Sequence, residues 1–287
     1  MVLEKKDIEE LRTISYKVRE SIIRMSRNGG CFIGASLSCA DLIVYLFYKY
    51  LNLNVNNLKS GERDYFLLSK GHDVPALYST LAEIGILEKE RLNNHLKTND
   101  SIYWHPNTNI PGIEFHSGSL GHLLSVAIGI AIDCKIRAQK NKIIVLLGDG
   151  ELNEGSNWES CLIASAFKLD NLIILIDRNG FQANKRTEEL IPLEPLDEKF
   201  ETFGLATGSI DGHSFAEMEM MFTQMPFEKG KPSVIIANTI RGKGLPSIEG
   251  KAERWFCNFS DPEVEELIKE LYGGEKTILT SEILNVR

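Results

Sequence analysis

The stretch from Ile143 to Phe181, IIVLLGDGELNEGSNWESCLIASAFKLDNLIILIDRNGF, constrains this chain more than any other. It predicts a strand, an acidic glycine turn, a helix, a second strand and an Arg-Asn-Gly turn. Asp149 and Asn179 fall thirty positions apart, each at the carboxyl end of a predicted strand. Neighbouring strands of an open parallel sheet deliver those ends to one crevice, where ligands bind. One carboxylate and one amide oxygen beside a diphosphate suit Mg²⁺ or Ca²⁺, hard ions that prefer oxygen. Gly148 and Gly150 admit close backbone approach, and the helix start that follows favours an anion. A GDG turn alone is as well explained by an ordinary βαβ unit with turn residues.

The rest of the chain supports an α/β fold, a parallel β-sheet flanked by helices on both faces. Buried strands are expected at 65–69, 143–147, 172–177, 205–210 and 233–240, and apolar runs of this length alternating with helices indicate such a sheet. Helical periodicity covers about 6–27, and Ser38 is placed to cap a second helix through ADLIVYLFYKYL. Further helices are expected at 74–85, 88–97, 120–140, 155–168, 214–225 and 261–272. Residues 99–119 are turn-rich and read as a long ordered loop, which usually means function. The whole chain, 1–287, is expected to form one domain, with a helical extension over about 1–60 and a helix and tail over about 258–287.

Composition excludes several functions. With 287 residues, 43% of them hydrophobic, the chain can bury a large core. A net charge of −8 argues against nucleic acid as a main partner. No apolar run reaches the roughly eighteen residues of a membrane span. The five cysteines are scattered, without a C-x-x-C pair, and suggest reduced, mostly buried thiols in a cytoplasmic protein.

Other constellations are open when taken singly. SKGH places Lys70 and His72 at a strand end, which also suits a capping loop with a bystander histidine. His105, in Trp-His-Pro, sits in the long loop, where a site residue or a plain surface turn is equally natural. Gly118, Ser119, Leu120 and Gly121 make either an anion or ring nest or a simple helix start. Arg241 and Lys243, in RGKG, can offset anionic charge or lie solvated.

In this order, SKGH, Trp-His-Pro, GSLGH, GDGELNEG, Asn-Gly, DGH and RGKG resemble the amino-terminal half of transketolase, over about residues 10–270. The resemblance implies the thiamine-diphosphate-binding fold, here its diphosphate-binding domain, with thiamine diphosphate and Mg²⁺ (or Ca²⁺) as cofactors. It implies Asp149, Asn179 and the carbonyl of Phe181 as metal ligands. It implies Lys70, His72, Gly118, Leu120, Gly148, Gly150, Glu154 and Arg241 around the cofactor, Glu154 also at the interface. His72 and His105 are implied as catalytic histidines, His105 at the hydroxyl of a two-carbon fragment. A pyrimidine-binding domain with its catalytic Glu would come from a carboxy-terminal transketolase-like subunit in an α₂β₂ assembly acting on small-molecule substrates.

Two positions depart from that family. CFIGASLS puts Phe32 where split transketolases carry His, and Trp255-Phe256-Cys257 puts Phe256 where they carry a second. Those histidines lie near the donor's C3 hydroxyl, and a positioned base is worth roughly 10²–10⁴-fold in rate. The expected activity is transfer of a two-carbon unit to an aldehyde or ketone, with a 2-oxo acid as the donor that needs no such base. The alternatives are a decarboxylating 2-oxo acid component that hands an acyl group to a carrier, and a non-catalytic scaffold.

Overall fold

A computed structural model describes residues 3–281. Seven strands occur among them: β1 (Tyr65–Leu68), β2 (Ile143–Gly148), β3 (Leu172–Arg178), β4 (Phe181–Gln182), β5 (Lys185–Arg186), β6 (Ala206–Asp211) and β7 (Ser233–Asn238). Five form one sheet in the order β1-β2-β3-β7-β6, parallel throughout, and β4–β5 is a separate small hairpin. The helices are α1 (Lys5–Met25), α2 (Ile33–Ser38), α3 (Ala40–Tyr45), α4 (Val74–Glu83), α5 (Leu123–Ile136), α6 (Gly155–Ala166), α7 (Thr187–Leu190), α8 (Leu196–Thr202), α9 (Phe215–Phe222) and α10 (Asp261–Leu271).

Strand side chains alternate across the sheet, and both faces are apolar, so both must be covered. Ile144, Leu146, Ile173, Leu175 and Ile235 pack with α1–α4, α9 and α10. Val145, Leu147, Ile174, Ile176 and Val234 pack with α5, α6 and α8. The register sets Gly148 beside Asp177 and Arg178 beside Asn238. The carboxyl ends of β1, β2, β3 and β7 therefore open on one crevice.

The expected strands all form, within two residues of their expected ends. Residues 95–122 lack α-helix and strand, as their turn-rich composition implied. Three details differ. Residues 89–94 are a 3-10 helix rather than a longer α-helix. The helix expected from Leu120 starts only at Leu123, because Gly118 and Gly121 adopt positive φ. Ser38 is no N-cap but the last residue of α2, and its hydroxyl lies 2.6 Å from Asp177 Oδ2 and 2.7 Å from the carbonyl oxygen of Ala35. The predicted tail beyond Ser281 lies outside the described residues, as do the first two residues of the expected amino-terminal extension. All five cysteines are buried and free. No helix among the described residues is long and apolar enough to cross a membrane.

Candidate active site

The crevice encloses about 320 Å³ and gathers residues from widely separated parts of the chain. β1 and the turn after it deliver Lys70, His72 and Asp73. β2 delivers Gly148, Asp149 and Gly150. β3 leads to Asn179 and Phe181, and β7 leads to Arg241. The long loop supplies His105, Gly118 and Leu120. Phe32 and Trp255 complete the lining.

The turn after β2 is locked by its own carboxylates. Asp149 Oδ1 accepts from Gly150 N at 2.8 Å, and Oδ2 accepts from Gly180 N at 2.7 Å and Arg178 Nη1 at 2.9 Å. Burial and the nearby Asp177 raise its carboxyl above the ordinary carboxylate range, against the pull of Arg178. A cation placed here would reverse that shift. Glu151 is buried, accepts from Gly121 N at 2.9 Å and Gly148 N at 3.2 Å, and is bonded by the Ser69 hydroxyl. It thereby ties the β2 turn to the long loop.

Asp177 is the hub of the β3 end. Its carboxylate accepts from Lys70 Nζ at 2.5 Å, Asn179 Nδ2 at 2.9 Å, Ser38 Oγ and Thr239 Oγ1. Because Asn179 gives its amide nitrogen to Asp177, its Oδ1 turns the other way and accepts from Phe181 N at 3.0 Å. One carboxylate, this amide oxygen and the Phe181 carbonyl would together make an oxygen donor set suited to a hard divalent ion. No cluster of three or more His, Cys, Asp or Glu side chains able to hold a metal occurs among the described residues, so any ion here relies on amide and main-chain oxygens.

Lys70 does not offer a free charge to a ligand. It is buried and paired with both Asp73, at 2.6 Å, and Asp177. Burial alone would lower its pKa, but the two carboxylates outweigh it and hold the ammonium firmly protonated. Among the described residues, the cleft cation with no bonded carboxylate is Arg241. It donates to the Ala183 carbonyl at 2.5 Å and lies over the Phe181 ring, 5.1 Å from its centroid.

His72 and His105 are both depressed below the ordinary imidazole range by burial. Both are therefore neutral near pH 7 and able to accept a proton. The main chain of His105 is anchored by Tyr78, whose hydroxyl donates to its carbonyl at 3.0 Å. Gly118, at φ +137°, lets the loop pass beneath that ring; a Cβ there would stand 2.6 Å from His105 Cδ2.

The two phenylalanines divide. Phe32 walls the cleft, edge-on to His72 with ring centroids 5.3 Å apart. Phe256 stands outside the lining, packed on Phe32 at 5.1 Å and on Trp104 at 6.0 Å. Glu154 is exposed at the start of α6 and also stands outside the lining. Sequence reasoning missed Asp73, Glu151, Asp177 and Arg178. Asp177 and Glu151 each sit two residues from a residue singled out in the sequence, but nothing in the sequence shows that both are buried and bonded.

A family model described as transketolase, thiamine diphosphate binding domain, matches residues 7–282. The chain belongs to the transketolase family. It is similar to one subunit of the apulose-4-phosphate transketolase of Actinobacillus succinogenes, with 38% identity covering 92% of this chain and 96% of the relative. A 6-deoxy-6-sulfo-D-fructose transketolase subunit of Clostridium sp. is 38% identical, covering 76% of this chain and 80% of the relative. The solved transketolase of Campylobacter jejuni superposes with a TM-score of 0.84 at 28% identity, covering 96% of this chain and 44% of that one. The transketolase of Leishmania mexicana, at 20% identity and a TM-score of 0.82, shares the fold, and the chain spans 42% of its length. This chain is thus the amino-terminal, thiamine-diphosphate-binding component of a transketolase-like transferase.

Proposed function

We propose that this transketolase-family chain acts with a second subunit to move a two-carbon unit from a donor to an aldehyde or ketone acceptor. The convergence of Asp149, Asn179, Gly118, His72 and His105 in one cleft carries this reading. When bound, thiamine diphosphate supplies the carbanion-stabilising centre that cleavage of a carbon–carbon bond beside a carbonyl requires. Asp149, Asn179 Oδ1 and the Phe181 carbonyl would hold its Mg²⁺ or Ca²⁺. His105 and His72, neutral and half or more buried, hold and move protons at the hydroxyls of the two-carbon fragment. Phe32 and Trp255 shield the reacting face from water.

The second subunit would carry the pyrimidine-binding domain and its glutamate, in an α₂β₂ assembly. Two apulose-4-phosphate transketolase relatives, each named as a single subunit and matched over nearly its whole length, support a divided enzyme. Ile136 on α5, Leu162 and Ile163 on α6, and Phe167 at its end are all exposed. Apolar exposure of this kind on adjoining helices supports burial by another chain.

A second reading concerns the donor and rests on Phe32. A phenyl ring can take no proton from a ketose C3 hydroxyl, whereas a 2-oxo acid loses CO₂ and needs none taken. Co-purified subunits supplied with thiamine diphosphate and Mg²⁺ would be offered xylulose 5-phosphate or pyruvate. Aldose phosphate release supports the ketose donor, and CO₂ release without it supports the 2-oxo acid. Neither product, from an assembly that binds the cofactor, would sink the transferase reading.

A further inference from the structure

Arg241 is a buried cation that bonds to no carboxylate among the described residues, although Asp73, Asp149 and Asp177 lie close enough to act on its charge. It is 2% exposed, its Nε finds no acceptor, and its Nη1 reaches only the Ala183 carbonyl. Burial pushes its pKa down to about 10. Charge in such a place calls for an anion to complete it. Lys70, the other permanent cation of the lining, is already neutralised by Asp73 and Asp177.

The loop that carries Arg241 is held on both sides of that residue by one polar cluster. Ile240 N donates to His213 Nε2 at 2.9 Å, and Arg19 Nε donates to the Lys243 carbonyl at 2.9 Å. Asp41 joins the two. Its Oδ1 and Oδ2 accept from Arg19 Nη1 and Nη2 at 2.8 and 2.7 Å, and Oδ2 also accepts from His213 Nδ1 at 2.8 Å. Since Nε2 takes the amide proton, the ring's own proton sits on Nδ1, facing Asp41. The side chains of all three groups are at most 10% exposed. Gly242 N adds a bond to the Gly34 carbonyl at 2.8 Å, and a Cβ on Gly34 would lie 2.9 Å from Arg241 Nε. The backbone around Arg241 is thus fixed from α1, α3 and the turn after β6, three segments that do not touch the cleft's chemistry.

We propose that Arg19, Asp41 and His213 are positioning residues for Arg241, clamping its loop so that the guanidinium stands ready for an anionic oxygen in the cleft. That oxygen belongs to the cofactor's diphosphate or to an anionic group of the substrate. The proposal rests on the cleft being the cofactor site. A rigid, pre-set fork loses less freedom on binding than a loose one, which is what such a clamp provides.

The test is a double-mutant cycle read as binding, by calorimetry on the assembled two-subunit enzyme with Mg²⁺ and either thiamine diphosphate or inorganic pyrophosphate. If the diphosphate is the anion, Arg241→Ala weakens both ligands by on the order of tenfold. If it leaves both unchanged but raises KM for an anionic donor in the assembled enzyme, the substrate is the anion. In either case His213→Ala must weaken the same quantity several-fold. The double variant must be no worse than Arg241→Ala alone, because the clamp acts only through that side chain. His213→Gln, which keeps an acceptor, should recover most of the loss. Should His213→Ala fail to fold, Arg19→Lys removes the bond to Lys243 while keeping the charge on Asp41. Additive losses, or a lowered Tm with unchanged binding, would overturn the clamp. No binding of thiamine diphosphate by the unaltered assembly would overturn the functional reading and this one with it.

Discussion

Phe32 presses its ring edge-on to His72 and lies tilted against Trp255, on the wall of the cleft. Phe256 stands outside the cleft lining and packs on Phe32 and Trp104. The two substitutions should therefore act unequally. Phe32→His is expected to raise ketose cleavage in the assembled enzyme by up to roughly 10²-fold, the lower range for a positioned base. Phe256→His alone should change it little. Aldose phosphate release from each single variant checks this, and a gain that needs the second histidine would show that the loop reorganises. His72 and His105 also predict the acid side of the pH profile. Burial holds both below the ordinary imidazole range, so the loss of activity from their protonation should fall at lower pH than for a free imidazole. Replacing either by Gln should remove that limb.

The turn after β2 and the loop beneath His105 act as elements. Asp149 holds Gly150, Gly180 and Arg178 together, so its loss removes the ion site's carboxylate and one of the three carboxylate partners of Arg178. Asp149→Ala should abolish Mg²⁺-dependent binding of thiamine diphosphate, measured by titration calorimetry with and without EDTA. Unchanged binding would place the ion elsewhere. Gly118→Ala adds a methyl group 2.6 Å from the His105 ring at a φ of +137°. It should lower kcat by about tenfold or more while shifting Tm only modestly, because a small displacement of a proton-handling group is felt most in the reaction. Equal loss of structure and activity would instead make this loop part of the fold's support.

Across the whole molecule, stability should depend on pH through His95, which is buried at the end of the 3-10 helix before the long loop. Burial lowers its pKa to about 4. The unfolded ring takes its proton near pH ~6.5, the folded one only near 4, so between those values the unfolded state carries the extra proton. Unfolding free energy should fall as pH drops from about 6.5 to 4 and His95 should add nothing further below that. Urea melts of the parent and a His95→Gln variant check this, the variant lacking that part of the slope. The sequence by itself determined the parallel sheet, because unbroken apolar runs alternate with helical ones and only a doubly covered sheet buries them. It also determined that Asp149 and Asn179 share a crevice, because strand ends set thirty residues apart in a βαβ unit are neighbours. Only the tertiary structure decided which charges are free. Lys70 and Arg241 look alike as basic residues in strand-end loops, yet one bonds to two buried carboxylates and the other, among the described residues, bonds to none. It also decided that Phe32 walls the cleft and Phe256 does not, and that Ser38, Glu151 and Asp177 bind the site together. Most of those outcomes depend on contacts between residues 30 to more than 200 positions apart, which local periodicity and turn chemistry do not encode.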